Sequence, residues 1–404
     1  MNRNSYNLAH TVLTNLQVNK LKVFHENLDG TKLSDSTSIP IKTRGYKVND
    51  VEFDINRRVH AIGCFSGAGG LDVGTQLAGA RIISSLDFDN DSVATMKANR
   101  FFKNAEHLND DIQNVTGSHY KEIIKRSNPE KLIMVGGPPC QPFSKAGYWV
   151  THKNRLGSDD PRNMIGQYLR LIGEVKPDGF VLENVESLLH PKNAEAVTAL
   201  EEAIDALGYH FLKFRADATE FGVPQRRKRV FFIASRKTII GEPQKTHGKQ
   251  QDIFNSSKIL PIERVIDWIA PFDSELFFEE SETTANKTYG HELTEVPPGQ
   301  NYFALTEREN YPNPKFQANK RFWNFLLKLH PLQSSWTISA QPGPWVGPFH
   351  WNNRRLRVPE IAAIQTFPQD YVFVGSRRSI QKQIGNAVPP VLGKSIIEFL
   401  ISQL

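Results

Sequence analysis

The chain has 404 residues, of which 39% are hydrophobic and 23% charged, with a net charge of +6. This is the composition of a soluble globular protein, with room for one large or two ordinary domains. Two cysteines exclude a disulfide framework and point to a reducing compartment, and the polar N-terminus has no signal-peptide core. With no apolar run long enough to span a bilayer, a cytoplasmic protein without membrane contact is expected. The mild positive charge permits a polyanionic partner without requiring one.

In chain order, residues 1–58 are polar and weakly patterned, suited to short helices or an arm over the core, and carry no assigned role. From Arg58 the pattern sharpens. Strands are predicted over Val59–Phe65, Arg81–Asp87, Leu132–Val135, Gly179–Glu183, Tyr209–Ala216 and Arg229–Ala234. Helices are predicted over Gly70–Ala78, Asp91–Arg100, Ile165–Val175 and Glu195–Leu207. This alternation means a parallel or mostly parallel sheet with helices on both faces. It dissolves near Ser235: residues 236–260 are hydrophilic, and 261–350 mix aromatics, prolines and charges without a long period. Order returns at Arg354, with a short helix over Pro359–Gln365 and a closing helix over Val388–Leu404.

Chemistry concentrates at strand ends. After the first strand comes CFSGAGGLDVG (64–74), whose Gly67, Gly69 and Gly70 let backbone amides approach a ligand near a positive helix end. Asp72 stands where a dinucleotide fingerprint needs glycine, which disfavours a nicotinamide cofactor. The second strand ends in Leu86-Asp87-Phe88-Asp89, an acid able to accept from ribose hydroxyls beside an aromatic able to stack on adenine. Asp110-Asp111-Ile112 offers a carboxylate for an adenine amino group and an apolar face. Each signal is weak alone, since Asp often caps helices; their order is the argument.

The run KLIMVGGPPCQPFS (131–144) breaks from a buried strand onto Gly136-Gly137-Pro138-Pro139 and presents Cys140, with Ser144 beyond. Most cysteines are small packing residues. Glycines and prolines that fix this thiol at the carboxyl end of a strand suit a nucleophile instead. Glu183 ends another strand, GFVLENV, as a candidate acid. Gln225, Arg227 and Arg229 alternate onto one face of VPQRRKRV, where arginines can hold a phosphate or favour a thiolate.

These pieces, with the terminal QIGNAVPP, resemble the DNA (cytosine-5)-methyltransferase family over about 59–235 and 354–396, in the family's order. The resemblance implies a Rossmann-like S-adenosylmethionine methyltransferase sheet with helices on both faces, plus a smaller irregular target-recognition domain. Four segments follow: 1–58, an N-terminal extension; 59–235, catalytic and cofactor-binding; 236–375, target recognition; and 376–404, packing back on the catalytic domain. The implied reaction moves a methyl group from S-adenosylmethionine to carbon 5 of a flipped-out cytosine, leaving S-adenosylhomocysteine. Cys140 looks like the nucleophile at carbon 6, Glu183 the group at ring N3 and the exocyclic amine, and Arg227 and Arg229 the arginines beside them. Phe65, Gly67, Gly69, Gly70, Asp87, Phe88, Asp111, Ile112, Pro138, Asn386 and Val388 match cofactor-pocket positions, and no metal is implied. Residues 145–163, with Asp160 and Arg162, match a mobile loop that closes over DNA. Ser144, Arg162, Gln225, Arg354 and Arg355 are the expected DNA contacts, and 337–351, preceded by Lys320 and Arg321, is where base-edge contacts are sought.

The implied partners are double-stranded DNA and a cognate restriction endonuclease acting on the same site without obligatory contact. A monomer associated with the nucleoid through DNA is expected. Two positions depart from the pattern: Asp87 is shorter than the usual Glu, and Gly63 replaces an Asp that many members carry. A tRNA methyltransferase of the same fold is disfavoured because the chain has no Cys-Phe-Thr motif. A non-enzymatic homologue would require loss of Cys140 or Glu183, and an oxidoreductase conflicts with Asp72 and the thiol loop.

Overall fold

The computed structural model describes residues 5–7, 42–47, 58–139, 163–248, 259–282, 288–319 and 322–404. Its centre is a seven-stranded sheet of β2 (Val59–Cys64), β3 (Arg81–Asp87), β4 (Glu106–Asn109), β5 (Lys131–Gly136), β6 (Gly179–Val185), β7 (His210–Asp217) and β8 (Lys228–Ser235), in the order β4-β3-β2-β5-β6-β8-β7. Only β8 runs against its neighbours. The sheet is therefore mostly parallel, which requires crossover helices on both faces.

Side-chain alternation sorts the core into two layers. Ala61, Ile133, Val135, Val181, Phe231 and Ile233 face a layer with α1 (Gly70–Leu77), α2 (Asn90–Ala98) and α10 (Pro390–Ser402). Ile62, Leu132, Met134, Phe180, Leu182 and Phe232 face α3 (Gly117–Ser127), α4 (Met164–Val175) and α5 (Ala194–Ala206). Both layers are continuous, and each fully buried large apolar side chain contributes about 1.5–3 kcal/mol relative to exposure.

Three elements of the sheet and its covering helices were not expected from the sequence. Strand β4 carries little apolar signal because its EHLN run is half-exposed. Helix α3 buries only Gly117, Tyr120 and Ile123. Helix α9 (Arg377–Asn386) is polar apart from Ile380 and Ile384. An 18-residue window within Arg377–Ser402 has the average hydropathy of a membrane span. That stretch is, however, two helices separated at Ala387–Pro389, and Leu392, Ile396, Ile397 and Leu400 are buried in the core.

Beyond β8 the chain runs through short elements, among them α6 (Val265–Ile269) and α7 (Gly290–Glu295). Leu293, Val296, Tyr302, Phe303, Leu305, Leu326 and Phe349 form a separate small core there. Residues 358–375, grouped with the recognition segment on sequence, pack with the catalytic sheet instead. Helix α8 (Val358–Ile364), Phe367, Tyr371 and Phe373 join its first core layer, and the Tyr371 hydroxyl donates to the Ala68 carbonyl at 2.5 Å. Part of the N-terminal extension is an arm. Lys42 and Arg44 donate backbone N–H groups to Asp267, and the Tyr46 hydroxyl donates to the Thr366 carbonyl. Strand β1 (Ser5–Asn7) pairs with β11 (Val372–Val374).

Candidate active site

A cavity of about 650 Å3 opens at the carboxyl ends of β2, β3, β5 and β6, where open α/β sheets bind ligands. One wall is the turn after β2. Phe65 takes a left-handed φ of 54°, and Gly67 and Gly69 take 53° and 82°. This backbone, unfavourable for most residues, turns the chain sharply into α1. The Gly67 N–H donates to Asp87 Oδ2 at 2.7 Å, and the Asp89 N–H donates to Oδ1 at 2.9 Å. Asp87 is thus fixed at the end of β3. Burial raises its pKa above the usual carboxylate range, and Lys382 opposes that rise. Phe88 beside it is 69% exposed, a free aromatic face on the rim, while Ile112 is buried in the wall and Asp111 Oδ1 accepts from the Gln113 N–H at 3.0 Å.

The far end is built by β5 and β6. Asn184 Nδ2 donates to the Pro138 carbonyl at 3.1 Å, tying the Pro-Pro loop to β6. Glu183, 9% exposed, pairs with Arg229 at 2.8 Å. A Cβ on Gly137 would lie 2.9 Å from Glu183 Oε2, so glycine is what lets the loop and the carboxylate meet. The third wall comes from the chain's other end. Asn386 and Val388 line the cavity, and Lys382 pairs with Asp89 at 3.0 Å.

Of the residues singled out on sequence, Phe65, Gly67, Gly70, Asp87, Phe88, Asp111, Ile112, Pro138, Asn386, Val388, Glu183 and Arg229 line this one cavity. Cys140, Ser144, Asp160, Arg162, Lys320 and Arg321 lie outside the described residues.

Five assignments change. Gly69 caps α1 rather than lining the cavity; its missing Cβ would lie 2.2 Å from Met96 Sδ, so it serves packing. Arg227 is fully buried and donates to the Gly385 carbonyl at 2.8 Å, holding α9 against β8. Its burial and the nearby Arg229 push its pKa down to about 9. Gln225 is wholly buried, donates to Gln365 and accepts from the Ile338 N–H, so it fastens the segment around Ile338 instead of facing outward. Arg354 is buried among Asp273, Glu282 and Glu360 at 2.7, 3.5 and 2.7 Å. Half-buried Arg355 donates to the Gly343 and Pro344 carbonyls and stabilises that turn. For Gln225, Arg227 and Arg354 the polarity is plain in the sequence, but the side chain points inward.

Asp273, His350 and Glu360 bring three potential metal-ligand atoms within 4.8 Å of one another. The Arg354 guanidinium, however, contacts both carboxylates and supplies the cation there. Residues not singled out as functional include Asn184, Lys382 and Asp72. The first adjoins Glu183 in sequence; the second gives no local signal; the third was used only to exclude a fingerprint.

A mostly parallel sheet with one reversed strand, and a cavity reaching from the acid at the end of β3 to the Glu–Arg pair at the end of β6, define an α/β methyltransferase. Residues 59–402 match the family described as C-5 cytosine-specific DNA methylase. The chain is 35% identical over 376 residues to the type II methyltransferase M.SacI of Streptomyces achromogenes, covering 87% of this chain and 94% of that one. It is 29% identical to M1.HphI of Haemophilus parahaemolyticus, covering 84% and 86%. Among solved structures, a DNA modification methyltransferase encoded within an E. coli prophage superposes with a TM-score of 0.60 at 20% identity, covering 85% of this chain and 99% of that one. Dnmt2 of S. pombe superposes at 0.54 with 18% identity, covering 85% and 99%, and shares the fold. The chain belongs to the DNA (cytosine-5)-methyltransferase family, which implies use of S-adenosylmethionine.

Proposed function

We propose that the protein methylates carbon 5 of a cytosine flipped out of one specific double-stranded DNA sequence, through a covalent adduct with Cys140. The observation that carries this reading is the meeting of Gly137, Pro138, Glu183 and Asn184. The loop that bears the thiol is fastened to the strand that bears the acid, at one end of a nucleoside-sized cavity. The residues of that cavity fit S-adenosylmethionine: Phe88 and Ile112 offer apolar faces for adenine, and Asp87 keeps lone pairs beyond its two backbone contacts for ribose hydroxyls. Bound there, the cofactor supplies an electrophilic methyl group.

Cytosine is a weak nucleophile at carbon 5. Addition of the Cys140 thiolate to carbon 6, with Glu183 engaging ring N3, concentrates electron density at carbon 5. Arg229 fixes the carboxylate that does this. Carbon 5 so activated takes the methyl group, and loss of its proton to water with expulsion of the Cys140 thiolate then restores the ring. The base must leave the stack, at a cost of a few kcal/mol. Protection of DNA beside an endonuclease of the same specificity fits the type II names of the relatives.

The test incubates purified protein with S-adenosylmethionine and unmethylated genomic DNA, then maps 5-methylcytosine. Methylation at one short motif is expected, and Cys140→Ser should abolish it while cofactor binding persists. Turnover by that variant would refute the nucleophile. No DNA methylation by a protein that binds the cofactor would refute the DNA substrate in favour of RNA.

A further inference from the structure

Asp72 lies in the first turn of α1, where an acid suits the helix dipole. It is 1% exposed yet borders the cavity. Its carboxylate lies across the end of β2, where a Cβ on Gly63 would come within 1.9 Å of Oδ1 and 2.7 Å of Ser66 Oγ. The strand end is therefore bare, and the carboxylate occupies the space a side chain would fill. The Ser66 hydroxyl donates to Oδ1 at 3.1 Å.

Beyond the helix N-terminus and the Ser66 hydroxyl, the groups that face Asp72 offer it no formal positive charge. From β2 comes the Cys64 thiol, itself pushed up by burial and by this acid. From the end of β3 comes Asp87, and Tyr168 on α4 and Tyr371 before β11 are neutral phenols. Among the described residues no Lys, Arg or His forms an ion pair with it. A buried carboxylate without a cation is costly.

Resting on the cofactor reading above, we propose that Asp72 anchors the α-ammonium of the methionine moiety, with Ser66 orienting it. An ammonium offers N–H donors as well as charge, whereas a sulfonium offers no N–H or O–H donor, and a carboxylate has about four acceptor sites to fill. In the ligand-free protein, burial raises the carboxyl to about 7. Binding the ammonium stabilises the charged form, so affinity rises with pH through about 7 and protons are released on binding.

The test is calorimetric titration of the full chain and its Asp72→Asn variant with three ligands: S-adenosylmethionine, S-adenosylhomocysteine, which keeps the ammonium but not the sulfonium, and methylthioadenosine, which lacks the amino acid. Asp72→Asn should weaken the first two about 10- to 100-fold, as loss of a charge-assisted contact does. Methylthioadenosine should be unchanged within about threefold, and proton release at pH 7, read from titrations in phosphate and Tris, should vanish. Weakening of S-adenosylmethionine alone would overturn the proposal by assigning the carboxylate to the sulfonium. Equal weakening of all three would overturn it by making Asp72 a scaffold residue. A wild-type protein that binds none of them would fail the cofactor reading itself. As a second variant, Gly63→Asp with Asp72→Ala moves the carboxylate to the strand and should recover part of the lost S-adenosylhomocysteine affinity. No recovery from a folded protein, together with the full loss for methylthioadenosine, would again overturn it.

Discussion

Removing Arg354 separates a structural ion network from a DNA contact. Its guanidinium grips Glu360 with two bonds, 2.9 Å from Nη1 and 2.7 Å from Nη2, and reaches Asp273 at 2.7 Å. Arg357 meets Glu282 at 2.6 and 3.1 Å. Asp273, Glu282 and Glu360 thus share two guanidiniums, and Arg354→Ala leaves Glu282 with Arg357 but strips Asp273 and Glu360 of their guanidinium contact. Glu360 is fully buried and would keep the Arg357 N–H at 2.8 Å and the His350 ring nitrogen at 3.9 Å. Breaking a buried pair from one side costs about 3–5 kcal/mol, and that loss should appear in urea unfolding followed by tryptophan fluorescence. The pH dependence has a definite sign. Burial already raises the Glu360 pKa, and without Arg354 it rises further. A raised carboxyl contributes stability at low pH that is lost as pH climbs through its folded value. The deficit should therefore be smaller at pH 5 than at pH 8. DNA binding by the folded variant should keep the wild-type salt slope. Unfolding energy within about 1 kcal/mol of wild type, with a salt slope reduced by about one, would refute the structural role and restore Arg354 as a phosphate contact.

Two further substitutions test the far end of the cavity. Glu183→Gln should lower kcat about 10²- to 10⁴-fold with S-adenosylmethionine affinity held, because it removes acid assistance without touching the cofactor walls; retention of more than a tenth of wild-type kcat would remove Glu183 from the chemistry. Gly137→Ala sets a methyl 2.9 Å from Glu183 Oε2. The flexible end of that side chain can yield, so unfolding energy should change by less than about 1 kcal/mol while kcat falls about 10- to 100-fold through misplacement. Unchanged kcat would show that the contact does not set the carboxylate's position.

Much of the sheet was legible because buried parallel strands write themselves as apolar runs ending in glycine or acid. Arg81–Asp87 matches to the residue, and the other expected strands to within one or two. Strand β4 was not, since pairing with β3 is what makes EHLN a strand. The cavity's walls were legible as motifs in order. Which way a charged side chain points was not. Gln225, Arg227 and Arg229 do alternate, but the face they share is the interior one, set by Gly385, Gln365 and Glu183 far away in sequence. Arg354 could be read as an ion-pair residue only once Asp273, 81 positions earlier, was brought beside it. Asp72 shows the reverse: a residue used to exclude one ligand borders the site for another.

The third wall of the cavity also sets a schedule for synthesis. Lys382 meets Asp89 across 293 positions, so at roughly 5–20 residues per second the ribosome takes about 15–60 s to deliver one after the other. Throughout that interval the sheet and its Gly-rich turn can form, but the cavity lacks Lys382, Asn386 and Val388. In a nascent chain the cavity is therefore complete only once residues 382–388 have been added.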